Sequence, residues 1–188
     1  MNNGRALNCI LKTDDLNQLM NLINSGQITE NAIFSFRSFT IPEILQKSPS
    51  ILQVSVFYGS INCFKYLLES GSNIDYQDSN KRTLSHFACA GGSMDVIPIL
   101  CEYGVQFNFN DHLGNSCAHY AIMYHHLDVL YWLWSNLGID LAAKDAMGNT
   151  PMHLAAMNED QEALLFLCQN GCDINCRNDV FFLSKEFH

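Results

Sequence analysis

Three cysteines four residues apart, Cys168, Cys172 and Cys176, share a chain with seven histidines. Thiolate and imidazole together are the donor set of structural zinc. Such motifs usually pair cysteines about two to four residues apart and need four converging ligands. Here Cys168 falls in an apolar helical run, Cys172 just past a glycine and Cys176 in a turn segment. The reading is packed thiols, with no metal expected. His86, His119 and His153 also look like a ligand set, but they recur one helix layer apart. Packed helices stand about 8–10 Å apart, so the three rings cannot share an ion. Cys117 with His119 could in principle be a thiolate–imidazole nucleophile pair. Two positions apart at a helix opening, the side chains do not face each other. No third orienting residue, phosphate-cradling glycine loop or convincing carboxylate pair accompanies them, and Glu159-Asp160-Gln161-Glu162 reads as the acidic first turn of a helix. Neither catalysis nor a cofactor is expected.

These residues gain meaning from the elements that carry them. Ser50-Ile-Leu-Gln53, Thr83-Leu-Ser-His86, Ser116-Cys-Ala-His119 and Thr150-Pro-Met-His153 start 33, 33 and 34 residues apart. Each is Ser or Thr, then Gln or His three later, then an apolar run, a helix-opening signal in which the hydroxyl caps an amide and the third residue reaches back. Pro151 sits at the first helical position, where a missing N–H costs nothing. Gly71, Gly104, Gly138 and Gly171 form a second series at spacings of 33, 34 and 33, each closing a second apolar helix. The extra residue in the third unit is assigned to Leu137. Asp78, Asp111 and Asp145 form a third series, and Gly114 and Gly148 follow the last two by three residues, the signature of a tight turn.

One unit is therefore a turn, a short helix, a loop, a longer helix and a glycine stop. A lone helix pair cannot bury its apolar face, whereas stacked copies shield one another. The recurring Thr83/His86/Ala88, Ser116/His119/Ala121 and Thr150/His153/Ala155, most clearly in NTPMHLAA at 149–156, resemble the ankyrin repeat. The resemblance covers residues 45–176. It implies an all-α ankyrin-repeat solenoid of stacked helix-turn-helix units with short hairpin turns: four repeats at about 45–77, 78–110, 111–144 and 145–177. Residues 1–44 do not fit the period and read as an N-terminal helical cap, a degenerate repeat with a helix over Asn17–Gly26. Residues 177–188 read as a partial fifth repeat or a C-terminal cap. Val180-Phe181-Phe182-Leu183 are too apolar to leave bare: they fold back, pair as a strand, or lead into further repeats of a longer protein. Pro98, about five residues into a helix capped by Ser93, should cost that helix one backbone bond.

The 188 residues are 48% apolar and 15% charged, which excludes a disordered chain. No stretch approaches the about 18 unbroken apolar residues of a membrane span, and MNNGRALNCILKTDD has no secretory pattern. Most of the eight cysteines lie inside apolar runs, as small buried hydrophobes of a reducing, intracellular (cytoplasmic) setting would. Residues 83–176 hold one basic and ten acidic side chains. A phosphate backbone or anionic membrane needs the opposite sign, so neither nucleic acid nor a membrane is an expected partner.

The ankyrin resemblance implies a non-catalytic scaffold or adaptor that binds a protein or peptide on its concave face, through turn tips and inner helices. In its family, the His of each unit braces its own turn and the neighbouring repeat's backbone, which here implies that role for His86, His119 and His153. The partner-binding positions it implies are Phe57 and Tyr58, then Arg82, then His112, Leu113, Asn115, Met123 and Tyr124, then Met147, Asn149, Met157 and Asn158. Trp132 takes a core Leu position in the outer helix of the third unit. The apolar members suggest a patch, and the acidic segment around it a partner with an apolar anchor and basic flanks. The alternative is a structural or self-associating unit, dimerising through an end repeat or Val180–Leu183. A metal- or redox-regulated thiol protein is a third class.

Overall fold

The helix-opening signals become helices. The computed structural model describes residues 3–34 and 41–179; the Val180–Leu183 expectation lies outside the described residues. Within them are ten α-helices and no strands: α1 (Asn3–Lys12), α2 (Leu16–Asn24), α3 (Ile51–Phe57), α4 (Ile61–Glu69), α5 (Leu84–Gly91), α6 (Val96–Glu102), α7 (Cys117–Met123), α8 (Leu127–Leu137), α9 (Pro151–Met157) and α10 (Gln161–Gln169). They form five antiparallel pairs. The inner helices α3, α5, α7 and α9 pack in a row, and α1 extends it against α3, as α2 does against α4. The architecture is the expected all-α solenoid. Helices of seven to eleven residues are too short to persist alone, since about 12–15 are marginal even for good sequences. Stacking supplies what length does not: Leu7, Leu11, Leu52, Phe64, Leu67, Phe87, Ile97, Leu130 and Leu167 form one continuous buried core.

Capping boxes open α3, α5, α7 and α9, with Ser50/Gln53, Thr83/His86, Ser116/His119 and Thr150/His153 each bonded in both directions. The two helices of a pair meet at a left-handed residue at one place in every unit: Gly59, Gly92, His125 and Glu159. In the first pair Asp14 holds that place at φ 52°. Its carboxylate accepts from the Asn62 and Cys63 amides at 3.1 and 2.9 Å, capping α4 of the next pair. The first pair is thus in phase with the rest. What displaces it is an insertion: Gly26 to Ser50 is 24 residues, where Gly71–Thr83, Gly104–Ser116 and Gly138–Thr150 are each 12. The inserted chain returns through amide bonds from Phe34 to Pro49 O and from Ile51 to Ala32 O, then a 3-10 turn at Glu43–Gln46.

Two expectations are corrected. Pro98 lies in the first turn of α6, which begins at Val96, so its missing N–H had no helical partner to lose. Ser93 does not cap that helix; its hydroxyl donates to Val56 O at 2.6 Å, tying neighbouring repeats together. Of the eight cysteines, only Cys63, Cys89 and Cys117 are buried; Cys9 is exposed and the other four are half-buried. All are free thiols.

Candidate functional site

The surface is built outward from the turns. In each hairpin an Asp carboxylate accepts from the amides two and four residues on: Asp78 from Asn80 and Arg82, Asp111 from Leu113 and Asn115, Asp145 from Met147 and Asn149. Successive tips are linked through backbone bonds from Ser79 N to Lys47 O, His112 N to Asn80 O, and Ala146 N to Leu113 O. The tips therefore form a fixed row rather than independent loops.

The histidines set the spacing beneath the tips. His86 Nδ1 accepts from the Thr83 amide at 3.1 Å, and Nε2 donates to Asn115 O at 3.3 Å in the next unit. His119 repeats this with Ser116 N at 3.2 Å and Asn149 O at 3.1 Å. Accepting at one nitrogen and donating from the other requires the neutral ring. Burial holds the His86 pKa down at about 4 and also lowers that of His119. Gln53 does the same work in the first unit, accepting from Ser50 N at 3.0 Å and donating to Arg82 O at 2.8 Å. Both His119 nitrogens are thus engaged and Cys117 is buried, so the two do not form a nucleophile pair. Of the three spaced cysteines, Cys172 Sγ faces Leu141 O at 3.7 Å, while Cys176 Sγ lies 3.5 Å from His153 Nδ1. Among the described residues no three His, Cys, Asp or Glu side chains gather as a metal site.

Arg82 is corrected: it is not presented to a partner. Only 4% exposed, it donates from Nε and Nη2 to Asp78 Oδ2 at 2.7 and 2.5 Å, and from Nη2 to Ile44 O at 2.7 Å. Its guanidinium lies 5.2 Å from the Phe87 ring centre. Beside it, Tyr120 donates to Asp111 Oδ2 at 2.8 Å and sets its ring edge-on to His86. Burial, chiefly, and the Asp111 charge push the Tyr120 hydroxyl up. Burial opposes the Asp111 charge, but bonds from Tyr120, Asn115 and the Leu113 amide outweigh it and hold the carboxyl below its usual range. Asn149 is buried as well, bonded to Asp145 and to Asn178, and Asn115 is turned back onto Asp111. These are braces of the hairpin row.

The remaining sequence-predicted residues divide into two groups. His112, Leu113 and Met147 are exposed at adjoining turn tips. Phe57, Tyr58, Met123, Tyr124, Met157 and Asn158 lie at the ends of the inner helices. Met157 is 73% exposed, while Phe57, Tyr58, Met123 and Tyr124 are half-buried. Asn158 is exposed as a residue, with its amide donating to Ile122 O. Four rings run across this end: Tyr58 to Phe57 at 5.2 Å, Phe57 to Tyr124 at 6.4 Å, Tyr124 to Tyr120 at 6.5 Å. Phe57 and Tyr124 belong to alternate units. They meet because α5 between them ends in Ala90 and Gly91. A Cβ on Gly91 would stand 2.0 Å from Phe57 O.

A second apolar area, on the outer helices, is not among the sequence-predicted positions. Tyr131 and Leu165 are 57% and 59% exposed, and Tyr131, Trp134 and Phe166 make ring contacts at 5.8–6.4 Å across α8 and α10. The run Tyr131-Trp132-Leu133-Trp134, apolar on more than one face of a helix, was the available signal. Trp132 itself packs partly buried against the core.

A family model of three ankyrin repeats matches residues 51–145, and a single ankyrin-repeat model matches 147–179. An ankyrin repeat protein of Rickettsia felis is 31% identical over 123 residues, 64% of this chain and 40% of the relative. A fowlpox virus ankyrin repeat protein is 28% identical over 120 residues, 62% of this chain and 16% of the relative. The human SH3 and multiple ankyrin repeat domains protein 2 is 35% identical over 109 residues, 57% of this chain and 6% of the relative. The chain thus spans well under two thirds of each of these relatives.

Proposed function

The chain belongs to the ankyrin-repeat family, whose repeats are in general non-catalytic protein-interaction modules, and from that premise we propose that this one is a scaffold or adaptor binding a polypeptide on its concave side. The observation that carries the reading is the ring line from Tyr58 to Tyr124 continued by Met123 and Met157: apolar, adaptable side chains at the open ends of the inner helices. His112, Leu113 and Met147 at the turn tips would form its second edge. Residues 83–176, with ten acidic and one basic side chain, favour an apolar anchor flanked by Lys or Arg. Among the described residues no helix is long and apolar enough to cross a membrane.

The test is Met123→Glu with Met157→Glu, which spares the braces. Affinity for a partner purified from the source cell should fall at least about tenfold with helical content unchanged. Unchanged affinity in a folded variant would refute the reading. Self-association is the second reading, favoured by the exposed Tyr131 and Leu165 with the half-buried Trp134 and Phe166 between them. The like charge of two such copies opposes it. Light scattering across a hundredfold range of concentration separates the two, since a constant monomer mass excludes a self-associating unit.

A further inference from the structure

The stack repeats not only its helices but a niche beside them, where the helix-opening residues of one unit meet the hairpin that follows. In the first unit the niche is lined by Ser50, Leu52 and Tyr76 and measures about 290 Å³. In the second it is lined by Thr83, Leu84 and Phe109 and measures about 260 Å³. In the third it is lined by Ser116, Cys117, Ala118 and Ala143 and opens to about 560 Å³.

The repeat register explains the doubling. Cys117 stands where Ile51 and Leu84 stand in the earlier units, and Ala118 where Leu52 and Ser85 stand. Ala143 lies two residues before Asp145, the place that Phe109 holds before Asp111 and Tyr76 before Asp78. Folded chains pack at near-crystalline density and leave few voids. Here the third unit lacks the ring that its two predecessors carry and the larger aliphatic side chain that each has in the place of Cys117. A cleft of this volume falls in the range of about 300–1,000 Å³ typical of ligand sites.

Its rim has one sign. Asp140 lines it, with the carboxylate also accepting from the Ala142 amide at 2.8 Å. The eleven-residue helix α8 ends on it at Leu137 and Gly138, adding the negative end of a helix dipole. Among the described residues no Lys, Arg or His lines the cleft. The opening is larger than one ring needs, leaving room for the main chain that bears it.

We propose that this cleft is a docking site for an aromatic side chain of a partner polypeptide, seated in the space that Ala143 leaves open, with a neighbouring Lys or Arg of that partner held at Asp140. The cleft shares no lining residue with the partner-binding positions named above, and the proposal does not depend on that reading.

The probe is the dipeptide N-acetyl-Tyr-Lys-amide on the full chain. For a flexible probe in an open cleft, about half the ~0.3 kcal/mol per non-hydrogen atom of drug-sized ligands gives a Kd of about 1 mM, accessible to ligand-observed NMR. Exchanging Tyr for Ala should weaken binding at least about tenfold. Exchanging Lys for Glu should weaken it about fivefold, the effect of an exposed ion pair. Ala143→Tyr, which copies Tyr76, should abolish binding. Asp140→Asn should erase the preference for Lys over Glu. The probe should also slow alkylation of Cys101, which lines the cleft, and leave that of the exposed Cys9 unchanged. If the Ala143→Tyr chain does not fold, the Asp140→Asn and Cys101 measurements decide. Binding that ignores Ala143→Tyr in a folded chain, or a Lys preference that survives Asp140→Asn, or no binding at all, would overturn the proposal.

Discussion

Replacing His86 with Gln separates what this side chain bonds from what it titrates. Gln53 already performs the same task in the first unit, accepting from Ser50 N and donating to Arg82 O. A Gln at 86 can accept from Thr83 N and donate to Asn115 O as the imidazole does. The loss of the ring edge against Tyr120 should cost no more than about 1 kcal/mol at pH 7. The acid response is different. The folded pKa of about 4 lies below the ordinary 6.5, so the unfolded chain binds this proton first as pH falls. The stability associated with the neutral ring is full above about 6.5 and is lost progressively toward 4. Between pH 7 and pH 5 that loss is about 2 kcal/mol, and over the whole window about 3 kcal/mol. Urea denaturation followed by circular dichroism at pH 7 and pH 5 should therefore show the wild type losing about 2 kcal/mol more than His86→Gln over that interval. His119, also lowered, contributes equally to both proteins and cancels. Equal losses in the two proteins would refute the neutral, bridging histidine.

Three further outcomes follow from the packing. Arg82→Met leaves the Asp78 carboxylate buried without its partner and should cost about 3 kcal/mol, with thermal unfolding as the measurement; adding Asp78→Asn should restore part of it. Gly91→Ala drives a Cβ to 2.0 Å from Phe57 O and should destabilise by about 3 kcal/mol, whereas Gly71→Ala meets nothing within 4 Å and should cost only its left-handed strain, about 1 kcal/mol. Glu159→Gly relieves a left-handed non-glycine residue at φ 55° and should raise the melting midpoint, by up to about 1 kcal/mol of stability; a lower midpoint would contradict the strain.

The period was legible because its determinants are local. Each Ser or Thr cap, its Gln or His three residues on, and each closing glycine act within one unit, so spacing alone revealed the solenoid. What crosses units was not legible. Arg82 reads as a free surface cation until Ile44 O, 38 residues away in the inserted segment, is seen to accept from it. Phe57 and Tyr124 read as separate positions until Ala90 and Gly91 let them meet across α5. The first helix pair is in phase through Asp14, but the longer Gly26–Ser50 segment hides it from any search at a fixed period. Pro98 reads as helix-breaking because a sequence does not say that α6 starts only at Val96.

The central claim is that the inner-helix ends and turn tips, not the outer helices, meet the partner. Hydrogen–deuterium exchange on the chain with and without a purified partner tests it most directly. Slowed exchange should map to 111–115, 123–126, 145–149 and 157–160. Protection confined to α8 and α10, with those segments unchanged, would contradict it.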